Sequence, residues 1–232
     1  LIACMFAATL ISFFMKYFKV QRWHGPADSI YAANQKEGAL DVKTGMLSTL
    51  VSFFSISGGA SVGIYGPLVH FGATLGVLLR RLAFMPRIPH DIIIGSGVAA
   101  AISAGFGSPI AGIIFAHEVV LRHFSLKAIT SIALCSITAS FTATQMNLVS
   151  PIFRFEEVNF NFADALPGLI TIGPASALIA LVFMYLLLNM PKISKQIIPR
   201  PHCSPFFPAF LCGLIGMFIP EGLGLGIKTT TM

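Results

Sequence analysis

Apolar residues in this chain gather into six long runs: Leu1 to Phe18, Met46 to Leu79, Ile92 to Leu121, Ala128 to Val149, Leu166 to Met190 and Phe206 to Pro220. Most charged residues fall in the short segments between them. About 20 apolar residues carry a helix across a bilayer core, so Ala128 to Val149 and Leu166 to Met190 are each long enough to span, with tilt. The runs Met46 to Leu79 and Ile92 to Leu121 hold about thirty residues each, too many for one span and too few for two. Two short helices meeting within the membrane fit that length.

Both runs are interrupted. Gly58-Gly59-Ala60-Ser61-Val62-Gly63-Ile64-Tyr65-Gly66-Pro67 breaks the first and Gly105-Phe106-Gly107-Ser108-Pro109 the second. Lipid offers no partner to backbone N–H and C=O groups, so irregular backbone survives at membrane depth only where protein covers it or a watery cavity meets it. The two segments therefore predict hairpins of half-helices around a cavity, an arrangement many transporters use for binding sites. Gly66-Pro67 sets proline early in the following helix, whose unbonded N–H groups and positive dipole end face whatever occupies the cavity. An anion is the natural occupant. Glycines also serve as plain packing notches, and the GxxxG at Gly72-Ala73-Thr74-Leu75-Gly76 is assigned to helix contact.

Composition agrees with the run pattern. Hydrophobic residues make up 55% of the 232, charged residues 10%, and the mean hydropathy is +0.82, which defines an all-α polytopic membrane protein rather than a soluble domain. The net charge of +6 does not point to nucleic acid, because the basic residues sit in short loops instead of forming one stripe. Those loops carry Lys16, Lys19, Arg22, Lys36 and Lys43; Arg80, Arg81 and Arg87; Arg122 and Lys127; and Lys192, Lys195 and Arg200. The positive-inside rule places all four on the cytoplasmic side. The segment from Ser150 to Asp164, with Glu156, Glu157 and Asp164 against Arg154, belongs outside. Cys4, Cys135, Cys203 and Cys212 form no CxxC pair and read as small hydrophobes. The start at Leu1, with no basic segment before the first run, and the glycine-rich stretch Gly222 to Gly226 read as the two cut ends of one transmembrane domain over residues 1–232 from a longer protein.

Side by side, the two broken segments resemble the CLC family of chloride channels and proton/chloride antiporters. Gly63-Ile64-Tyr65-Gly66-Pro67 is similar to that family's G-R-E-G-P element. The run from Gly95 to Glu118, through Phe106-Gly107-Ser108-Pro109-Ile110-Ala111-Gly112, resembles its G-x-A-A-x-x-A-A-x-F-x-A-P-L-A-G-x-x-F-x-x-E segment and is the more specific match. The resemblance implies a homodimer of pseudo-symmetric subunits, each with a chloride-type anion path lined by helix N-termini. The 232 residues then cover mostly the first half of the pore domain and the start of the second. No cofactor is implied.

The departures shape the functional expectation. Tyr65 stands where the family usually has its gating glutamate, and Ile64 replaces the arginine before it. A phenol, with an ordinary pKa of about 10, cannot easily replace that carboxylate as plug or proton carrier. The inner proton-relay glutamate aligns with Val119; Glu118 lies one position earlier, turned by about 100° on a helix. Proton coupling by the family's usual route is therefore not expected, and passive anion movement remains. The G-S-G-I-P element falls at Arg22-Trp23-His24-Gly25-Pro26, with Trp23 in place of the anion-contacting serine. Its indole N–H can donate one hydrogen bond, though tryptophan also anchors helices at membrane interfaces, and His24 can add charge.

Other candidate chemistry is thin. His117-Glu118 lacks the second histidine of H-E-x-x-H, since position 121 is Leu, and His123 lies about 240° round a helix from His117, so no metal site is expected. Glu118 is placed to pair with Arg122 at i,i+4. His70 follows Tyr65 by five residues and is either a titrating group or a buried, hydrogen-bonded one. Walker A, Rossmann and G-x-S-x-G patterns are not found, and no enzyme is expected. The sequence thus predicts a multi-pass protein of a bacterial inner membrane acting as a passive anion channel or uniporter. Its anion is held near Gly63, Ile64, Tyr65, Gly66 and Pro67, with Tyr65 as neutral gate. The alternatives are an antiporter using His70 or Glu118 and a non-conducting structural subunit.

Overall fold

The computed structural model describes residues 1–18, 20, 22–35, 40–82, 88–148, 162–197 and 204–224. Helix α1 (Ile2–Phe18) leads to a short α2 (Pro26–Asn34), then α3 (Val42–Ser57), α4 (Tyr65–Leu82), α5 (His90–Phe106) and α6 (Pro109–Phe115). A π-helical turn, Ala116–Leu121, continues α6; α7 (Leu126–Gln145), α8 (Phe162–Ile197), α9 (Phe206–Phe218) and a 3₁₀ turn, Pro220–Gly222, follow. No strand occurs among the described residues.

Each interrupted run is a helix pair. Helices α3 and α4 have 16 and 18 residues and α5 has 17, each short of the roughly 20 of a full span. Asp41 starts α3 by accepting the N–H groups of Lys43 and Thr44 at 3.2 and 3.3 Å. The Thr44 hydroxyl bonds the same carboxylate, and together these donors hold Asp41 below the usual carboxylate range against a smaller opposing effect of burial. Between α3 and α4 the backbone turns through Gly59 and Gly63, at φ 97° and 71°, a region that favours glycine. The second break is tighter than the sequence suggests: Gly105 and Phe106 are still helical, and only Gly107 and Ser108 separate α5 from α6. Gly107, at φ 64°, caps α5 by donating to the Ser103 carbonyl at 2.9 Å.

The core lies where α4, α5 and α7 meet, around Val69, Ala73, Ile94, Val98, Ala99 and Ile132. Helices α4 and α5 touch backbone to backbone. A Cβ on Gly72 or Gly97 would strike the carbonyl of the other, and one on Gly76 would lie 2.7 Å from the Ile93 carbonyl oxygen. The GxxxG is a packing seam, as expected. Helix α1 packs on α3 and α9.

Three features depart from the run pattern. The segment from Lys16 to Lys43, assigned to a loop, contains α2, whose Ser29, Ala32 and Ala33 are buried. Helix α8 has 36 residues and extends beyond Leu166 to Met190 at both ends. From Leu178 to Leu188 it is exposed and apolar, as a lipid-facing surface would be. The π turn was not anticipated either. The acidic segment lies almost wholly outside the described residues, with Arg154, Glu156 and Glu157, as do Lys19, Lys36, Arg87, Arg200 and Cys203.

Candidate functional site

The N-termini of α2 and α4 converge. A Cβ on Gly66 would sit 3.7 Å from Cδ and Cγ of Pro26, so the two proline-bearing first turns lie against each other. The Leu68 N–H donates to the Ile64 carbonyl at 3.0 Å and Pro67 has no N–H, which leaves the Tyr65 and Gly66 amides without an intrahelical acceptor. An open cavity of about 130 Å³ is lined by the start of α2 (His24, Gly25, Pro26), the middle of α3 (Ser48, Thr49, Ser52) and the start of α4 (Gly66, Pro67, His70). One water occupies about 30 Å³ of liquid, so the space suits a small ion with part of its hydration.

Polar groups line it. His70 is 1% exposed; its Nδ1 is 2.7 Å from Ser29 Oγ on α2. Its Nε2 faces α3, 3.3 Å from where a Cβ on Gly45 would lie. The His24 ring stands edge-on to it with centroids 6.1 Å apart. His24 Nδ1 and His70 Nε2 are both buried and make no hydrogen bond within the protein. Ser48 Oγ accepts the His24 backbone N–H at 3.0 Å, and its own O–H remains to donate inward. Ser52 and Thr49 donate instead to the Ser48 and Gly45 carbonyls, at 2.8 and 3.0 Å.

Electrostatics at this end of α2 are balanced locally. Asp28 closes a capping box on the Gly25 N–H at 2.8 Å and accepts Arg22 Nη2 at 2.7 Å. Its charge is thus matched by a cation before it can oppose an anion at the helix end. The positive ends of α2 and α4 then set the sign of the cavity.

The sequence candidates divide. His24, Gly66, Pro67 and His70 come together on the cavity. Trp23, half-buried, does not line it, so His24 is the member of that pair placed there. Ile64 is half-buried and supplies the carbonyl that closes the first turn of α4, while Gly63 provides the left-handed turn before it. Tyr65 is 57% exposed, and its ring stacks on Phe106 at 4.4 Å and 5°, beside the cavity and against the second break. Glu118 is exposed on the π turn, and no ion pair to Arg122 forms among the described residues. Wider winding spoils the i,i+4 spacing, and Arg122 leaves the helix at φ 61°. His117 is buried at 0% exposure, donates Nδ1–H to the His123 carbonyl at 3.1 Å and stacks on Phe124. His123 turns instead to Asp91, 3.5 Å away.

Ser29, Asp28, Ser48, Thr49 and Ser52 were missed. Two of them carried a signal: Ser48 and Ser52, hydroxyls at i,i+4 on one face of α3. No cluster of three or more metal-ligating side chains occurs among the described residues.

Broken helix pairs in an all-α bundle, with two helix N-termini converging on one cavity, define a membrane protein built on interrupted helices. Residues 6–232 match the family model described as voltage gated chloride channel, and the chain belongs to that family. The voltage-gated ClC-type chloride channel ClcB of Escherichia coli O9:H4 (strain HS) is 22% identical over 224 residues, which are 96% of this chain and 53% of that protein. A putative chloride channel protein, ClcB-like, of Ralstonia nicotianae is 26% identical over 140 residues, covering 59% of this chain and 33% of its own length. The crystal structure of a slow cyanobacterial Cl−/H+ antiporter shares the fold at TM-score 0.76 and 18% identity, over 97% of this chain and 55% of that one. The chain spans about half the length of these full-coverage matches.

Proposed function

We propose that this chain contributes a chloride-type anion path through a bacterial inner membrane, in a homodimer that moves the anion passively as a channel or uniporter. One observation carries the reading: a small cavity with His24, His70 and Ser48 on its wall, at the joined N-termini of α2 and α4. The names of its relatives, chloride channels of bacteria, agree with it. Tyr65 serves as a neutral gate. Docked on Phe106 it stands beside the cavity and outside its lining, one residue before Gly66, which lines it. With the whole protein in liposomes, Tyr65→Ala should raise chloride efflux several-fold with no proton movement. Unchanged efflux removes the gate role, and no efflux from a folded wild-type dimer favours a non-conducting subunit.

A second reading, proton-coupled exchange, is favoured by the imidazoles of His70, buried, and His24, half-buried, on the cavity and by the antiporter that shares the fold. Glu118, exposed and away from the cavity lining, supports it less. Uphill proton movement driven by a chloride gradient decides between the two.

A further inference from the structure

We infer that Asn34 is a positioning residue of the anion path: by bonding a carbonyl that the π turn sets free, it fixes the tilt of α2 and with it the cavity wall at the other end of that helix. The inference rests on the anion-path reading above and adds a point, outside the cavity, from which the cavity is held in shape.

Helix α2 has little of its own to hold it. Nine residues are too few for a stable isolated helix, and its buried side chains, Ser29, Ala32 and Ala33, are small and bring little apolar area to the surfaces of α4 and α5. Polar ties therefore set its placement. At the first turn Asp28 closes the box on the Gly25 N–H, and Ser48 Oγ accepts the His24 N–H. In the middle, Ser29 Oγ bonds His70 Nδ1 at 2.7 Å. At the last residue, Asn34 Nδ2 donates one N–H to the Ile30 carbonyl, one turn back, and the other to the Val120 carbonyl on the π turn, both at 2.8 Å.

The Val120 bond ties α2 to a distant part of the chain. Val120 is 0% exposed, and the chain leaves the π turn at Arg122, φ 61°, so a carbonyl in that last turn has no following helical amide to accept. A buried carbonyl left without a partner is costly, and the π turn and Asn34 therefore require each other. The consequence for the cavity is mechanical. A nine-residue helix is about 13 Å long and moves as a unit. Ser29 is its fulcrum, with Asn34 on one side and Pro26 on the other, so release of Asn34 lets α2 tilt and carries Gly25 and Pro26, both on the cavity wall, toward or away from Gly66. Pro26 stands 3.7 Å from where a Cβ on Gly66 would lie, and a small tilt changes the gap between the two helix ends. The link is a contiguous set of bonded groups, from the Val120 carbonyl through Asn34 and α2 to the cavity.

The test is calorimetric titration of the whole protein in detergent with chloride, beside thermal unfolding of the same samples. Asn34→Asp keeps the shape of the side chain but sets a carboxylate oxygen where the donor was. It and Asn34→Ala should weaken chloride binding about three- to fivefold per folded protein, up to the worth of one hydrogen bond. The emission of Trp23, which immediately precedes His24, should shift as well, read as the difference from a Trp23→Phe background. Asn34→Gln keeps the amide on a longer arm and should recover part of the affinity. Asn189→Ala removes a like bond, from Nδ2 to the carbonyl four residues back on α8, and should leave chloride binding unchanged. Coupling is reciprocal, so the wild type gives a second measure that needs no variant to fold: saturating chloride should slow deuterium uptake at residues 30–34 and 116–121. A lower unfolding temperature in Asn34→Ala with chloride affinity and Trp23 emission unchanged makes Asn34 a plain staple of the fold and overturns the proposal, as does wild-type deuterium uptake there that ignores chloride; both leave the anion path intact. Chloride binding that is absent from the wild type overturns the anion-path reading along with it.

Discussion

The two helix breaks share a glycine-and-proline vocabulary but do different work. The second, at Gly107 and Ser108, is closed by its neighbours: Ser136 donates to the Pro109 carbonyl at 2.7 Å and bonds Ser103 as well, and the Gly112 N–H reaches the Ser108 carbonyl at 3.1 Å. The first, between Ser57 and Tyr65, is tied at Gly59, whose carbonyl accepts the Gly224 N–H at 2.9 Å, and hands over to α4, whose first turn at Gly66 and Pro67 lines the cavity near two ring nitrogens without protein partners. A break within an apolar run thus marks only where backbone must find partners. Whether the partners are protein or ligand is decided by the side chains brought up against it, and a site is recognised by the polar groups that remain.

This contrast predicts opposite responses to substitution. At the second break the demand is steric. A Cβ on Gly112 would lie 2.5 Å from Ser103 Oγ and 2.6 Å from the Ala99 carbonyl oxygen, so Gly112→Ala forces α6 off α5 and should cost about 1–3 kcal/mol. Thermal unfolding of the purified protein in detergent measures it, and chloride efflux per folded dimer should hold. A stable variant with altered efflux would show that the second break takes part in conduction.

At the first break the demand is chemical, and the effect is smaller. Ser48→Ala removes the one cavity hydroxyl whose proton is not spent on helix backbone. Loss of a hydrogen bond worth about 1 kcal/mol weakens chloride binding roughly fivefold. Ser52→Ala, whose hydroxyl is already donated to the Ser48 carbonyl, should change it little. Equal effects from the two would mean that the helix-bound hydroxyls turn inward when the anion arrives.

Length and hydropathy made the class legible, since a run too long for one span and too short for two has few solutions in lipid. The Gly72 seam was legible because small residues at i,i+4 have one common use. Helix α2 was not: nine residues with a basic approach and Asp28 inside carry no membrane-scale apolar signal, and tertiary contact with α4 and α5 makes it a helix. The π turn was hidden for a related reason. It frees a carbonyl at Val120 that only Asn34, 86 residues away in sequence, bonds at 2.8 Å. The choice between Trp23 and His24 likewise depends on where α3 lies, because Ser48 holds the His24 backbone in place.

Asp41 gives the smallest effect. Its carboxyl is held below the ordinary value by the Thr44 hydroxyl and by the Thr44 and Lys43 amides, so its contribution to stability is fully present above the unfolded value of about 3.9 and is lost as pH falls through the folded one. Exposure to solvent keeps that contribution to about half a kcal/mol. Asp41→Asn should therefore lower the unfolding temperature slightly at neutral pH, by an amount that shrinks as pH falls through the folded carboxyl's own value.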